Sequence, residues 1–111
     1  MDIQVEKLAR IFKALGDPNR LGIVQFIGKE SRSVTEIINA MELPQTLVSF
    51  HLRTLREAGI VTTRRNGPFI NYSLSDPAIM DILVNFEEIG SSQEESQEIT
   101  EQDSKKVKRM R

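Results

Sequence analysis

Cysteine is absent from the 111 residues. Its absence removes disulfides, thiolate metal sites, thiol redox sensing and cysteine nucleophiles together. Histidine occurs once, as His51, and a lone imidazole without cysteine or carboxylate partners is rarely a metal ligand. No metal site is therefore expected. No apolar run approaches the roughly 18 residues that a membrane-spanning helix needs, so no membrane partner is expected. The opening Met1-Asp2-Ile3-Gln4-Val5-Glu6 lacks the basic start and apolar stretch of a secretory signal. The expected compartment is the cytoplasm. Neither a phosphate-cradling glycine loop nor a histidine–carboxylate pair at useful spacing is present, so the chain is not expected to be an enzyme or to hold a cofactor.

What remains is enough for one small domain. At 39% hydrophobic it can bury a modest core, and a domain of this size gains from a partner subunit. The net charge of −1 hides an uneven distribution. Glu94, Glu95, Glu98, Glu101 and Asp103 form an acidic block, followed by Lys105, Lys106, Lys108, Arg109 and Arg111. The stretch from Gln45 to Arg65 carries Arg53, Arg56, Arg64 and Arg65 against one acid, Glu57. An acidic tail thus masks a locally basic middle.

Apolar spacing predicts a helix over 3–15, with Val5, Leu8, Phe12 and Leu15 as its inward stripe. Asp17-Pro18 starts a second helix, with Leu21, Val24 and Ile27 facing inward, that stops near Gly28. Ser33 caps a third through Met41, and Glu36 completes a capping box. Leu43-Pro44 opens a fourth, to about Ala58, after a turn near Glu42-Leu43-Pro44. Then the period changes to β-branched and aromatic runs, Ile60–Thr63 and Phe69–Leu74, around the turn signal Asn66-Gly67-Pro68. A last helix follows Asp76-Pro77 and is expected to end at Ile89, broken by Gly90-Ser91-Ser92. Residues 91–111 have the composition of a disordered charged tail, although propensity leaves open a short helix there, and the acidic block could fold back on Arg64 and Arg65. This order predicts a mostly α fold with a β-hairpin: a winged helix-turn-helix of about five helices and a two-stranded wing, with residues 1–90 as the domain.

On a helical wheel the fourth helix places Val48, Leu52 and Leu55 on one side. Thr46, Ser49, Phe50, Arg53 and Thr54 fall opposite, and Gln45 lies in the first turn, where recognition helices meet base edges. Gln and Arg make bidentate contacts to adenine and guanine, while Ser and Thr bond base or phosphate. A merely solvated helix face would show alternating Glu and Lys rather than an exposed aromatic. His51, at the edge of the inward side, reads as structural or phosphate-contacting. Arg64, Arg65 and Asn66 at the hairpin tip suit a wing lying along a phosphate backbone. Double-stranded DNA is the expected partner. The competing reading is a winged helix used as a protein-interaction module, since fold does not fix function.

Three blocks resemble the ArsR/SmtB family of regulators. Ala14-Leu15-Gly16-Asp17-Pro18-Asn19-Arg20-Leu21 is similar to the start of that family's second helix. Residues Gln45 through Val61, including Ser49-Phe50-His51-Leu52, resemble its recognition helix and wing entry. Arg64-Arg65-Asn66-Gly67 with Tyr72-Ser73-Leu74 resembles the wing. The resemblance spans about residues 5–88. It implies a homodimer built from the first and last helices, operator binding, and repression relieved by an effector. The departures are in the sensing residues. Where the family's arsenic and cadmium sensors carry Cys-Val-Cys, this chain has Ser33-Val34-Thr35. The last helix, where zinc, cobalt and nickel sensors pair Asp with His, offers Asp76, Asp81, Glu87 and Glu88 but no histidine.

Counting faces also predicts a dimer. In the last helix Ile79, Ile82, Leu83 and Phe86 form a stripe to pack on the domain, while Met80 and Val84 lie about 100–140° away. In the first helix Ile11 points away from the stripe. A helix apolar on two sides must be covered on two sides. The expected interface therefore draws on Val5, Leu8, Ile11, Phe12, Ile79, Met80, Leu83, Val84 and Phe86.

Overall fold

A computed structural model describes the backbone of residues 2–109 and the side chains of residues 2–93. Its elements are α1 (Val5–Leu15), α2 (Pro18–Ile27), β1 (Arg32–Ser33), α3 (Val34–Met41), α4 (Gln45–Glu57), β2 (Val61–Asn66), β3 (Phe69–Leu74) and α5 (Ala78–Arg109). The starts of the five helices and the place of the hairpin agree with the sequence reading, while α5 and β2 run further than expected. The sheet holds a further strand: β1 pairs antiparallel with β3, Arg32 opposite Tyr72 and Ser33 opposite Asn71, giving the order β1-β3-β2. The chain divides into two compact units, Met1–Met80 and Asp81–Arg111.

Local chemistry sets the helix ends. The Asp17 carboxylate accepts from the backbone N–H of Asn19 at 2.8 Å and of Arg20 at 3.1 Å, with Pro18 in the first turn of α2. These donors, that of Arg20 foremost, hold the Asp17 carboxyl below its ordinary range. At α3 the capping box is complete: Glu36 N–H donates to Ser33 Oγ and Ser33 N–H to Glu36 Oε1, each at 3.2 Å. The Ser33 backbone N–H, and then its side chain, lower the Glu36 carboxyl. The α3–α4 turn passes through Glu42, a non-glycine residue at φ +55°.

The core of the first unit is drawn from α1, α2, α3, α4, β2 and β3. Ala14 of α1, Ile23, Val24 and Ile27 of α2, Ile37 of α3, and Val48, Leu52 and Leu55 of α4 are buried, with Ile60, Val61 and Leu74 closing it on the sheet side. The inward side of α1 differs from the expected stripe. Ala14 is buried and Leu8, Ile11 and Leu15 are half-buried, while Val5 and Phe12 are exposed. Residues 8, 11 and 15 share one ridge of the helix, from which Val5 and Phe12 are rotated away. Leu21, expected inward, is also exposed; three adjacent positions of α2, Ile23, Val24 and Ile27, already fill its buried side.

Helix α5 does not stop at Ile89 but stays helical through Gly90-Ser91-Ser92 to Arg109. One interior glycine costs a helix only about 1 kcal/mol, and the Gln and Glu that follow are good helix formers. Ile79 and Leu83 are half-buried, but Ile82 and Phe86, expected to pack inward with them, are exposed. The 82/86 pair lies on a different ridge from 79/83. The expected behaviour of the charged side chains of residues 94–111 lies outside the described residues.

Candidate nucleic-acid interface

The helix-turn-helix is α3–turn–α4, and α4 is anchored by one side. Val48, Leu52 and Leu55 are at most 1% exposed, whereas Gln45, Thr46, Ser49, Phe50 and Arg53 are exposed. Side-chain packing and polar display are thus separated across one helix. Thr54, expected on the outward side, is half-buried, and its hydroxyl donates back to the Phe50 carbonyl at 3.2 Å. Arg56 is exposed as well, in the last turn. Pro44 caps the start of α4 without any side-chain hydrogen bond, which leaves first-turn N–H groups to face an anion.

The wing follows α4 directly. Gly59, at φ +77°, turns the chain out of the helix. The Ile60 N–H donates to Leu55 O at 2.9 Å, and the Ser75 N–H to Ile60 O at 2.8 Å. Ser75 Oγ reaches the Gly59 carbonyl at 2.7 Å. These bonds lock the end of α4 to both ends of the hairpin. The hairpin is longer than the β-branched run indicated: β2 continues to Asn66, paired with Phe69, and only Gly67-Pro68 form the loop. Gly67 has φ +63°, which suits the first central position of a II′ turn, with the fixed φ of proline at the second.

Arg64, Arg65 and Asn66 are exposed, but they belong to a strand rather than a loop. Successive strand residues point to opposite faces. Arg64 and Asn66 therefore share one face, and Arg65 shares the other with Thr63. The two guanidiniums flank the wing instead of lying side by side. Phe69 and Ile70 at the tip are exposed as well, a feature their β-propensity alone did not reveal.

His51 is 4% exposed, which fits the structural rather than the phosphate-contacting reading of its imidazole. Its Nδ1 lies 3.2 Å from Arg20 Nη1. A guanidinium only donates, so Nδ1 accepts and the ring proton sits on Nε2, which is buried without a hydrogen-bond partner. Arg20 also donates from Nε to the Ala14 carbonyl and from Nη2 to that of Lys13 at 3.4 Å. One side chain thus ties the end of α1 and the start of α2 to the middle of α4. No signal short of the fold pairs residues 31 positions apart. Among the described residues no group of three or more His, Asp or Glu could hold a metal ion, and no helix is long and apolar enough to cross a membrane.

Comparison with known proteins places this architecture. A profile of bacterial regulatory proteins of the arsR family matches residues 17–63. An uncharacterised HTH-type transcriptional regulator of Methanocaldococcus jannaschii is 39% identical over 85 residues, 76% of this chain and 96% of the relative. The chain belongs to the ArsR/SmtB family. A probable mercury resistance operon repressor of Streptomyces lividans is 40% identical over 76 residues, 68% of this chain but only 61% of that repressor's length. Among solved structures, Rv0081 of M. tuberculosis superposes with a TM-score of 0.77 at 30% identity, covering 86% of this chain and 98% of that one. The fold is therefore a winged helix-turn-helix of ArsR/SmtB type.

Proposed function

We propose that this family member is a sequence-specific DNA-binding repressor that acts as a homodimer on double-stranded operator DNA. The observation that carries the reading is the two-sidedness of α4: a fully buried anchor opposite an exposed row of amide, hydroxyl, aromatic and guanidinium groups. Gln45, Thr46, Ser49, Phe50 and Arg53 are assigned to the major groove. Arg64, Arg65 and Asn66 are assigned to the flanking phosphates, one arginine on each face of the wing. The sensing residues of the family's metal and thiol branches are missing, so the effector is non-metal or there is none.

The dimer reading rests on apolar surface. Ile3, Val5 and Phe12 are exposed on or beside α1, where Ile3, Gln4, Lys7, Leu8 and Ile11 line an open groove of about 320 Å³. Ile82, Val84, Phe86 and Ile89 are exposed on α5. Surface of this kind on a small domain is normally covered by a partner, and a second copy covers each helix with the same helix by two-fold symmetry. Two copies also present two α4 helices to successive major grooves, which requires an imperfect palindrome.

Selection from random duplexes is the test. Enrichment of a palindromic sequence, with relaxed specificity at one base pair per half-site for Arg53→Ala, is the expected result. The exposed Phe69 and Ile70 on the wing favour a second reading, a protein-docking module. Failure to enrich any sequence would favour it over the repressor.

A further inference from the structure

Phe50 is the odd residue of the outward face of α4. It is 56% exposed among side chains that donate or accept hydrogen bonds. Its ring can do neither, so it cannot pair with the polar edge of a base. The major groove offers one apolar group to such a ring, the 5-methyl of thymine. Thr46 and Arg53 lie four and three residues away on the same helix and are its surface neighbours, so a methyl met by Phe50 would lie among their polar contacts.

The ring is also braced. It packs edge-on against His51, with centroids 5.6 Å apart and planes at 60°. His51 is buried and held at Nδ1 by Arg20, which is itself fixed by carbonyls at the end of α1. An exposed ring resting on a buried, hydrogen-bonded one is held ready for its contact, which lowers the ordering cost of binding.

We propose that Phe50 reads the 5-methyl group of a thymine in the major groove, with His51 and Arg20 as the positioning residues that aim it. This rests on the DNA-binding reading above and names the chemistry one of its residues recognises.

The test replaces each thymine of the selected operator by deoxyuridine, which keeps the hydrogen-bonding edge and removes only the methyl. At one position per half-site the unmodified protein should lose about fourfold in affinity, the worth of one buried methyl group. Phe50→Ala should bind the thymine and deoxyuridine operators equally. Arg20→Met should lose most of the discrimination, while Arg20→Lys, which retains a donor for His51 Nδ1, should keep more of it. A general structural role for Arg20 would lower affinity for both operators and leave their ratio unchanged, and that result would overturn the positioning role. If no thymine is methyl-sensitive, or Phe50→Ala keeps the sensitivity, the methyl reading is wrong although DNA binding stands. If selection enriches no sequence, both readings fall.

Discussion

Helices α4 and α5 both carry apolar and polar residues, yet they differ in how many large apolar side chains they leave exposed. In α4 the apolar side is buried inside the domain, at Val48, Leu52 and Leu55, and the outward residues are polar except for Phe50. In α5 the side chains left exposed include Ile82, Val84, Phe86 and Ile89. Exposed polar groups suit a polar, hydrated partner such as a base edge or a phosphate. Exposed apolar ones call for a partner that removes them from water. Under the proposed function the two surfaces serve two partners, DNA and a second copy of the chain.

The largest effect should come from attacking the buried side of α4. Leu52→Ala should destabilise the domain by about 2–5 kcal/mol in denaturant unfolding, the range for a large-to-small change in a packed core. Val84→Ala on α5, assayed under conditions where the chain is monomeric, should change stability by no more than about 0.5 kcal/mol; a core-sized loss there would erase the contrast.

Charging α5 should break assembly instead. Val84→Glu with Phe86→Glu should weaken self-association at least about tenfold in sedimentation equilibrium, with operator affinity falling in parallel. A double variant that stays dimeric would move the interface elsewhere.

On α4 and the wing the arginines should divide by role. Arg53→Ala should cost about 1–3 kcal/mol on the selected operator and relax one base position, whereas Arg64→Ala and Arg65→Ala should weaken binding to all sequences alike. Competition against random duplex separates the two behaviours.

The smallest effects sit in the caps that orient the helix-turn-helix. Glu42→Gly relieves a left-handed residue at φ +55° and should stabilise by about 0.5–1 kcal/mol. The carboxyls of Asp17 and Glu36 are held below their ordinary values. Their contribution is therefore fully present above the ordinary carboxylate range near pH 4 and is lost as pH falls below it. Asp17→Asn with Glu36→Gln should flatten the decline in stability between about pH 5 and pH 2; an unchanged acid limb would mean the caps are not coupled to folding.

Which features were legible follows from how local their causes are. Asp17-Pro18, the Ser33–Glu36 box and Gly67 announce themselves within a few residues, so helix starts and the hairpin turn were readable. Strand β1 was not: two residues carry no periodicity, and it exists because Tyr72 and Asn71 pair with it. The inward side of α1 is not legible locally, because the helix is apolar on more than one ridge and only the packed fold decides which ridge meets the core. The site shows the same division. The outward face of α4 follows from helical geometry alone. The pairing of His51 with Arg20 does not, because Arg20 reaches it from another helix. The opposed faces of Arg64 and Arg65 follow from β2 running to Asn66, beyond the β-branched residues that signalled the strand.

The salt dependence of operator binding tests the assignment of α4 and the wing to DNA most directly. If Arg64 and Arg65 meet phosphates, the logarithm of the affinity should fall linearly with the logarithm of salt concentration, by about 0.9 for each phosphate neutralised. Replacing both arginines with alanine should make that slope shallower by about 1 for each residue removed, doubled in a dimer. A slope near zero for the unmodified protein, or one untouched by losing both arginines, would contradict the account.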